Sequence, residues 1–268
     1  MIGKSTGVWL AMGIVAFGTG AISHDHAKPI ASKSVPVKYV EGTVHGFLEL
    51  SNEDGSLIAH GDQLQTARNG GIMSRMVFHL AQGSVFEETV AYTQQGVFTM
   101  QTYHLVQSGP AFDEDLDASI SRTGSYVVRT KSHKDGKEKE YEGSLTLPGD
   151  VYNGMVGTIA KNISTQQSST IHFVAFMPEP KIIEVELSPS GAQSVKLGKH
   201  EEAAVNFAIK PKLGLLLKIG AKLTGKMPPD SHVWIVTDDV PAFVRSEGPL
   251  YTGPVRRISL TSPALQQQ

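Results

Sequence analysis

The stretch YVVRTKSHKDGKEKEYEGSLTL, residues 126–147, reads as two strand-forming runs around a turn. Tyr126–Ser132 is rich in β-branched residues, Lys134-Asp135-Gly136-Lys137 turns the chain, and Glu138–Leu147 runs back. An Asp-Gly pair between two alternating runs is a strong hairpin signal, because both residues tolerate the left-handed backbone of a tight turn. The unit recurs upstream. Leu116–Ser121 meets Tyr126 across Thr123-Gly124, and Val85–Thr93 meets Val97–Val106 across Gln95-Gly96. Ile72–Leu80 ends before Gln82-Gly83, and Glu41–Leu50 meets Ser56–Leu64 across Asn52-Glu53-Asp54-Gly55.

Downstream the texture changes once. Pro148-Gly149-Asp150 offers a stop and an N-cap, after which Val151, Tyr152, Met155, Val156, Ile159, Ala160 and Ile163 recur at helical spacing. Strand texture resumes in Thr170–Met177 and Lys181–Leu187, then near Ser194–Leu197, Ala203–Lys210, His232–Thr237, Ala242–Glu247 and Val255–Thr261. Residues Leu213–Thr224 form a second helical pattern. Leu213, Leu216, Leu217 and Leu223 share one side, and Lys218, Lys222 and Lys226 share the other.

About a dozen strands with two helices give a mainly β fold. The expected architecture is one large curved antiparallel meander, a half-barrel or two abutting sheets, with helices near 150–163 and 212–225. A helix on the concave side would bury the apolar face. The expected organisation is a signal peptide over 1–21, a flexible leader over 22–36, one β-rich domain over 37–263 and a tail over 264–268. A division of the domain into two sheet halves near 148–168 is the alternative.

The signal peptide is read from Lys4, the apolar run Val8–Phe17 and the small residues Gly18 to Ala21. That run is short against the roughly 20 residues of a spanning helix. Cleavage follows Ala21 or Ser23, which places the mature protein in the periplasm or outside the cell.

The 268 residues carry 24 Lys+Arg and 26 Asp+Glu, so no basic excess points to nucleic acid. The absence of Cys excludes disulfides, thiolate catalysis and Cys-ligated metals.

The strings His45-Gly46-Phe47-Leu48-Glu49-Leu50 and Ser74-Arg75-Met76-Val77-Phe78 resemble an uncharacterised family of secreted, β-rich bacterial envelope proteins. Leu147-Pro148 with Asn153-Gly154-Met155, and Pro228-Pro229-Asp230 with Val233-Trp234, fit the same resemblance, as do Pro241–Arg245 and Glu247–Tyr251. The resemblance implies a Gram-negative type of envelope protein with no assigned activity. It therefore carries over no catalytic residue.

Candidate chemistry is sparse. His45, His60, His79, His104, His172 and His232 fall in expected strands without metal-ligand spacing, which reads as exposed or hydrogen-bonded histidine. Cleavage after Ala21 would leave Ile22-Ser23-His24 at a free amine, where His24 could help bind Cu(II) or Ni(II). Asp113-Glu114-Asp115 with Asp117 reads as a solvated loop, and Asp238-Asp239 as a turn. Hydrolase motifs such as Gly-x-Ser-x-Gly and His-Glu-x-x-His are missing, and no cofactor is expected. Trp234, Phe243 and Tyr251 read as core or interface anchors.

The helix bearing Leu213, Leu216, Leu217, Lys218 and Lys222 either packs on the sheet or lies on an anionic membrane. Three functions stay open: a non-enzymatic binder of a lipid-like or other apolar ligand on the concave face, a hydrolase of envelope polymers using dispersed Asp, Glu or His, and a structural or interaction module.

Overall fold

The computed structural model describes residues 33–176, 179–197, 200–212, 231–237 and 240–261. The N-terminal half of the domain is eight strands: β1 Val44–Asn52, β2 Leu57–Arg68, β3 Gly71–His79, β4 Val85–Gln95, β5 Val97–Ser108, β6 Glu114–Ser121, β7 Ser125–Ser132 and β8 Glu138–Ser144. One helix follows, α1 Val156–Asn162. Six more strands complete the sheet: β9 Ser169–Ala175, β10 Lys181–Leu197, β11 His200–Pro211, β12 Ser231–Val236, β13 Ala242–Pro249 and β14 Val255–Thr261.

All fourteen strands form a single antiparallel sheet in the order β8-β7-β6-β5-β4-β3-β2-β1-β14-β13-β12-β11-β10-β9. Each half is a meander of adjacent hairpins, as the turn chemistry predicts. The halves meet where β1 pairs with β14, with Leu48 opposite Leu260 and Leu50 opposite Ile258. The fold is therefore one sheet and not two abutting ones. It does not close, because its outermost strands, β8 and β9, are not paired with each other.

Alternation sorts the side chains into two faces. One cross-strand row runs Gly46, Gln63, Met76, Glu88, Leu105, Ala118, Val128, Tyr141 from β1 to β8. Its neighbours Leu48, Leu50, Phe78, Phe86, Tyr103 and Leu116 are buried, so this is the inner face. Gly61 is required there. A Cβ at that position would lie 2.4 Å from the Phe78 ring and 2.5 Å from the Val77 carbonyl oxygen.

The helix differs from expectation. It begins at Val156, whereas the apolar spacing starts at Val151. Val151 instead forms a parallel bridge with His172 of β9, so this backbone spends its hydrogen bonds on the sheet edge. Gly154, at φ 70°, then turns the chain into α1. The helix lies inside the curl. Gly154 abuts Val90 and Tyr103, and Gly157 abuts Phe243 on the opposite wall. Met155, Ile159 and Ala160 are buried in the shared core. The second expected helix, near 212–225, lies almost wholly outside the described residues. So do the signal segment, the Asp238-Asp239 turn and the tail.

Three further expectations change. Lys181–Leu187 and Ser194–Leu197 are one strand, because a bulge between Pro189 and Ala192 absorbs the apparent break. Glu114, Asp115 and Asp117 stand on β6 and not in a solvated loop. The end of the expected leader belongs to the fold: Val35 is buried, its carbonyl accepts from the Phe98 amide, and Pro36 bridges Val97.

Candidate functional site

The described part of the strap before β1 closes one end of the interior. The Val35 amide donates to the Tyr152 hydroxyl at 2.8 Å, and the amides of Lys38 and Tyr39 both donate to Asn162 Oδ1 at 2.9 Å. Glu41 forms an ion pair with Lys161 of α1 and accepts from Gln65. Asn162 sits on the last turn of α1, where its Nδ2 donates to the Thr158 carbonyl. That end is held entirely by groups of the chain itself.

The opposite end is different. The turn between β13 and β14 reaches across the interior, where the Tyr251 hydroxyl accepts from the Phe176 amide. The Phe176 ring stacks on Tyr103 with centroids 5.8 Å apart and planes 4° apart. Tyr103 in turn donates to Glu88 Oε1 at 2.7 Å. Gln107 is fully buried, and its Nε2 donates to the Glu114 carbonyl at 3.1 Å and to Thr252 Oγ1 at 3.5 Å. Its Oε1 has no hydrogen-bond partner among the described residues.

These groups form a polar patch inside an apolar surface. Glu88 pairs with Leu105, and Phe86 pairs with Gln107, which makes Glu88 and Gln107 diagonal neighbours on the inner face of β4 and β5. Glu88 is part-buried, and its carboxyl accepts from the buried Tyr103. Burial raises its pKa above the usual 4.5, and the hydrogen bond from Tyr103 only partly offsets this. Burial also drives the Tyr103 hydroxyl well above its ordinary value, an effect that the nearby Glu88 carboxyl reinforces. Glu114, also inward by register, is raised by burial against the pull of Lys139.

The inner face is not fully covered. Met76 of β3 and Ile258 and Leu260 of β14 stay partly exposed while packing on the core. At the rim, a cavity of about 810 Å³ is lined by Pro110, Phe112, Asp113, Glu114, His133 and Lys134. Its loop is well anchored. Gly109 N and His133 Nε2 both reach Asp115 Oδ1 at 2.8 Å, and Ala111 N donates to the buried Ser84 hydroxyl at 3.0 Å. The patch can hold a polar group by hydrogen bonds beside an apolar body.

The histidines are distributed over separate contacts. His45 reaches Asp62, His104 reaches Asp117, and His232 reaches Asn206. His172 is buried against Asp150, where their backbones also pair at the edge of β9. Among the described residues no group of three His, Asp or Glu could hold a metal ion. His24, Leu213, Leu216, Leu217, Lys218 and Lys222 lie outside the described residues. Of the three anchors, Phe243 packs on Gly157, Tyr251 reaches Phe176, and Trp234 lies in a smaller buried cluster beneath the Arg245 guanidinium, 4.0 Å from the ring centroid.

Sequence reading did not single out Glu88, Tyr103 or Gln107. A signal exists: Phe86-x-Glu88-x-Val90 and Tyr103-x-Leu105-x-Gln107 put polar groups in the apolar phase of two strands.

No family model and no curated protein matches this chain. Among solved structures it is similar to a β-barrel-like protein of the domain of unknown function DUF1849 from Brucella abortus, with 12% identity and a TM-score of 0.45. The match covers 83% of this chain and 97% of that one.

Proposed function

We propose that this is an exported, non-enzymatic protein that holds a lipid-like or other apolar ligand against the inner face of its curved sheet. The observation that carries the reading is the partly exposed apolar surface of Met76, Ile258 and Leu260 on a largely buried face. Apolar side chains left accessible in a concavity lose the free energy of burial unless something covers them. The helix α1 packs on β12 and β13 and reaches Tyr92 of β4 through Thr158, so the ligand is placed beside it on the inner face, from β14 across β1–β3 to Glu88 and Gln107. Export rests on the signal-like pattern of residues 1–21, with a periplasmic or secreted mature protein.

The test is native mass spectrometry of mature protein purified from its own envelope fraction, followed by solvent extraction and titration with a neutral naphthylamine dye. The expected result is a co-purifying amphiphile, or saturable dye binding that Met76→Arg abolishes without unfolding the protein. Absence of both overturns the proposal.

A further inference from the structure

We infer that Glu88 and the Gln107 side-chain carbonyl form a head-group site that selects amphiphiles whose polar end donates hydrogen bonds, as a hydroxyl or amine does, over those ending in a carboxylate. This rests on the apolar-ligand reading above and names the ligand class of the same face.

The orientation of Gln107 is set by its neighbours. Its Nε2 donates to the Glu114 carbonyl and the Thr252 hydroxyl, and a flipped amide would put two carbonyl oxygens against each other. The free end is therefore an acceptor, Oε1, which is buried and without a partner among the described residues. Buried acceptors are nearly always satisfied, so an orphan diagonal to the part-exposed Glu88 points to a missing donor.

Its diagonal neighbour Glu88 adds a second acceptor. Tyr103 donates to Oε1, and the other carboxyl oxygen has no protein partner among the described residues. The two acceptors belong to diagonal neighbours on the inner face, and a bound head group would supply a donor to each.

Charge argues in the same direction. Neither β4 (VFEETVAYTQQ) nor β5 (VFTMQTYHLVQS) contains a lysine or arginine. Lys139 stands on the inner row of Gln107, but three strands away on β8, where its charge acts on Glu114. A carboxylate end would meet two acceptors and no adjacent cation, whereas a hydroxyl or an ammonium would satisfy both oxygens.

The experiment is displacement of a neutral naphthylamine dye from the full mature protein near neutral pH by three competitors with one acyl chain: monoolein, oleylamine and oleate. Monoolein or oleylamine should displace the dye at about tenfold lower concentration than oleate, the factor expected from one or two hydrogen bonds to buried acceptors. Gln107→Leu should shrink that advantage several-fold when each competitor is scaled to the dye affinity measured for the same variant. Glu88→Gln separates the two head groups, since it retains monoolein binding and weakens oleylamine selectively. The inference is overturned if oleate competes as well as the other two, or if their advantage survives both substitutions in variants that unfold cooperatively. Failure of the dye itself to bind would instead bring down the apolar-ligand reading, and this inference with it.

Discussion

Asn153 completes the outer edge of β9 with its side chain. Its Nδ2 donates to the Val174 carbonyl and its Oδ1 accepts from the Val174 amide, both at 2.8 Å. The carboxamide thus offers the donor and acceptor that a neighbouring strand would offer. One residue earlier the backbone does the same work, since Tyr152 N donates to the His172 carbonyl and His172 N to the Asp150 carbonyl. The sheet therefore covers this edge with its own chain. The other edge, β8, is defended by charge, with Glu140 paired to Arg129 and Glu138 to Lys131.

Replacing Asn153 with Ala should lower stability by about 2–4 kcal/mol, because it leaves two buried backbone groups of Val174 unsatisfied. Urea unfolding of the wild type and variant checks this. Asn153→Asp keeps the acceptor and loses the donor, so it should lose the Val174 carbonyl contact even where its overall cost is similar. Equal stability of Asn153→Ala and wild type would remove the edge-capping role.

Gly61→Ala should destabilise by about 2–3 kcal/mol, since the new methyl meets the Phe78 ring and the Val77 backbone at less than contact distance. Gly42→Ala is the control. Nothing lies within 4 Å of its added carbon, so its thermal midpoint should stay near that of the wild type.

Glu88 predicts a pH dependence of definite sign. Its folded pKa is raised by burial, so between the ordinary value of 4.5 and the raised value the folded state holds more protons than the unfolded state. Stability from this group is therefore full at acid pH and is lost as pH rises through that window. Glu88→Gln should remove the loss, so its stability relative to wild type should rise from acid to neutral pH. Unfolding midpoints of the two proteins across that range test it, and a constant difference would contradict the assignment.

Two ion pairs should behave differently. Arg75 and Glu87 form a two-pronged pair on the outer face, with the arginine side chain 47% exposed, and Arg75→Ala should cost about 1 kcal/mol or less. Glu41 and Lys161 are far less exposed, at 9% and 15%. Glu41→Gln leaves Lys161 largely buried without its counter-charge and should cost about 3 kcal/mol. It should also expose the strap before β1 to proteases, which limited digestion would reveal.

The hairpins were legible because their signals are local. Asp135-Gly136 and Thr123-Gly124 set their turns through backbone torsions of a few adjacent residues, with Gly136 at φ 68° and Gly124 at φ 88°. The long β10 and the short α1 were misread for one shared reason. Ser190-Gly191 breaks the alternation but is absorbed by pairing with β11, and Val151–Asn153 has helical spacing but spends its hydrogen bonds on β9. In both, a partner far along the chain overrode the local pattern.

The candidate site was legible only in part. Alternation tells which residues share a face, and Glu88 and Gln107 could have been placed on the apolar one. It does not tell what stands opposite. That Thr252 holds Gln107 Nε2, leaving Oε1 as the free end, and that Phe176 covers Tyr103, depends on contacts spanning 145 and 73 positions of the chain.

By itself, then, the sequence determined an antiparallel meander, its turns, its two-sided alternation and a fold held without disulfides. Tertiary structure decided that β1 closes on β14, that Asn153 caps the edge, and that an acceptor pair lies within an apolar wall. Turn and alternation energies depend on neighbouring residues and are written locally. Which distant surfaces meet depends on loop closure and on the joint packing of the whole core, which no single segment encodes.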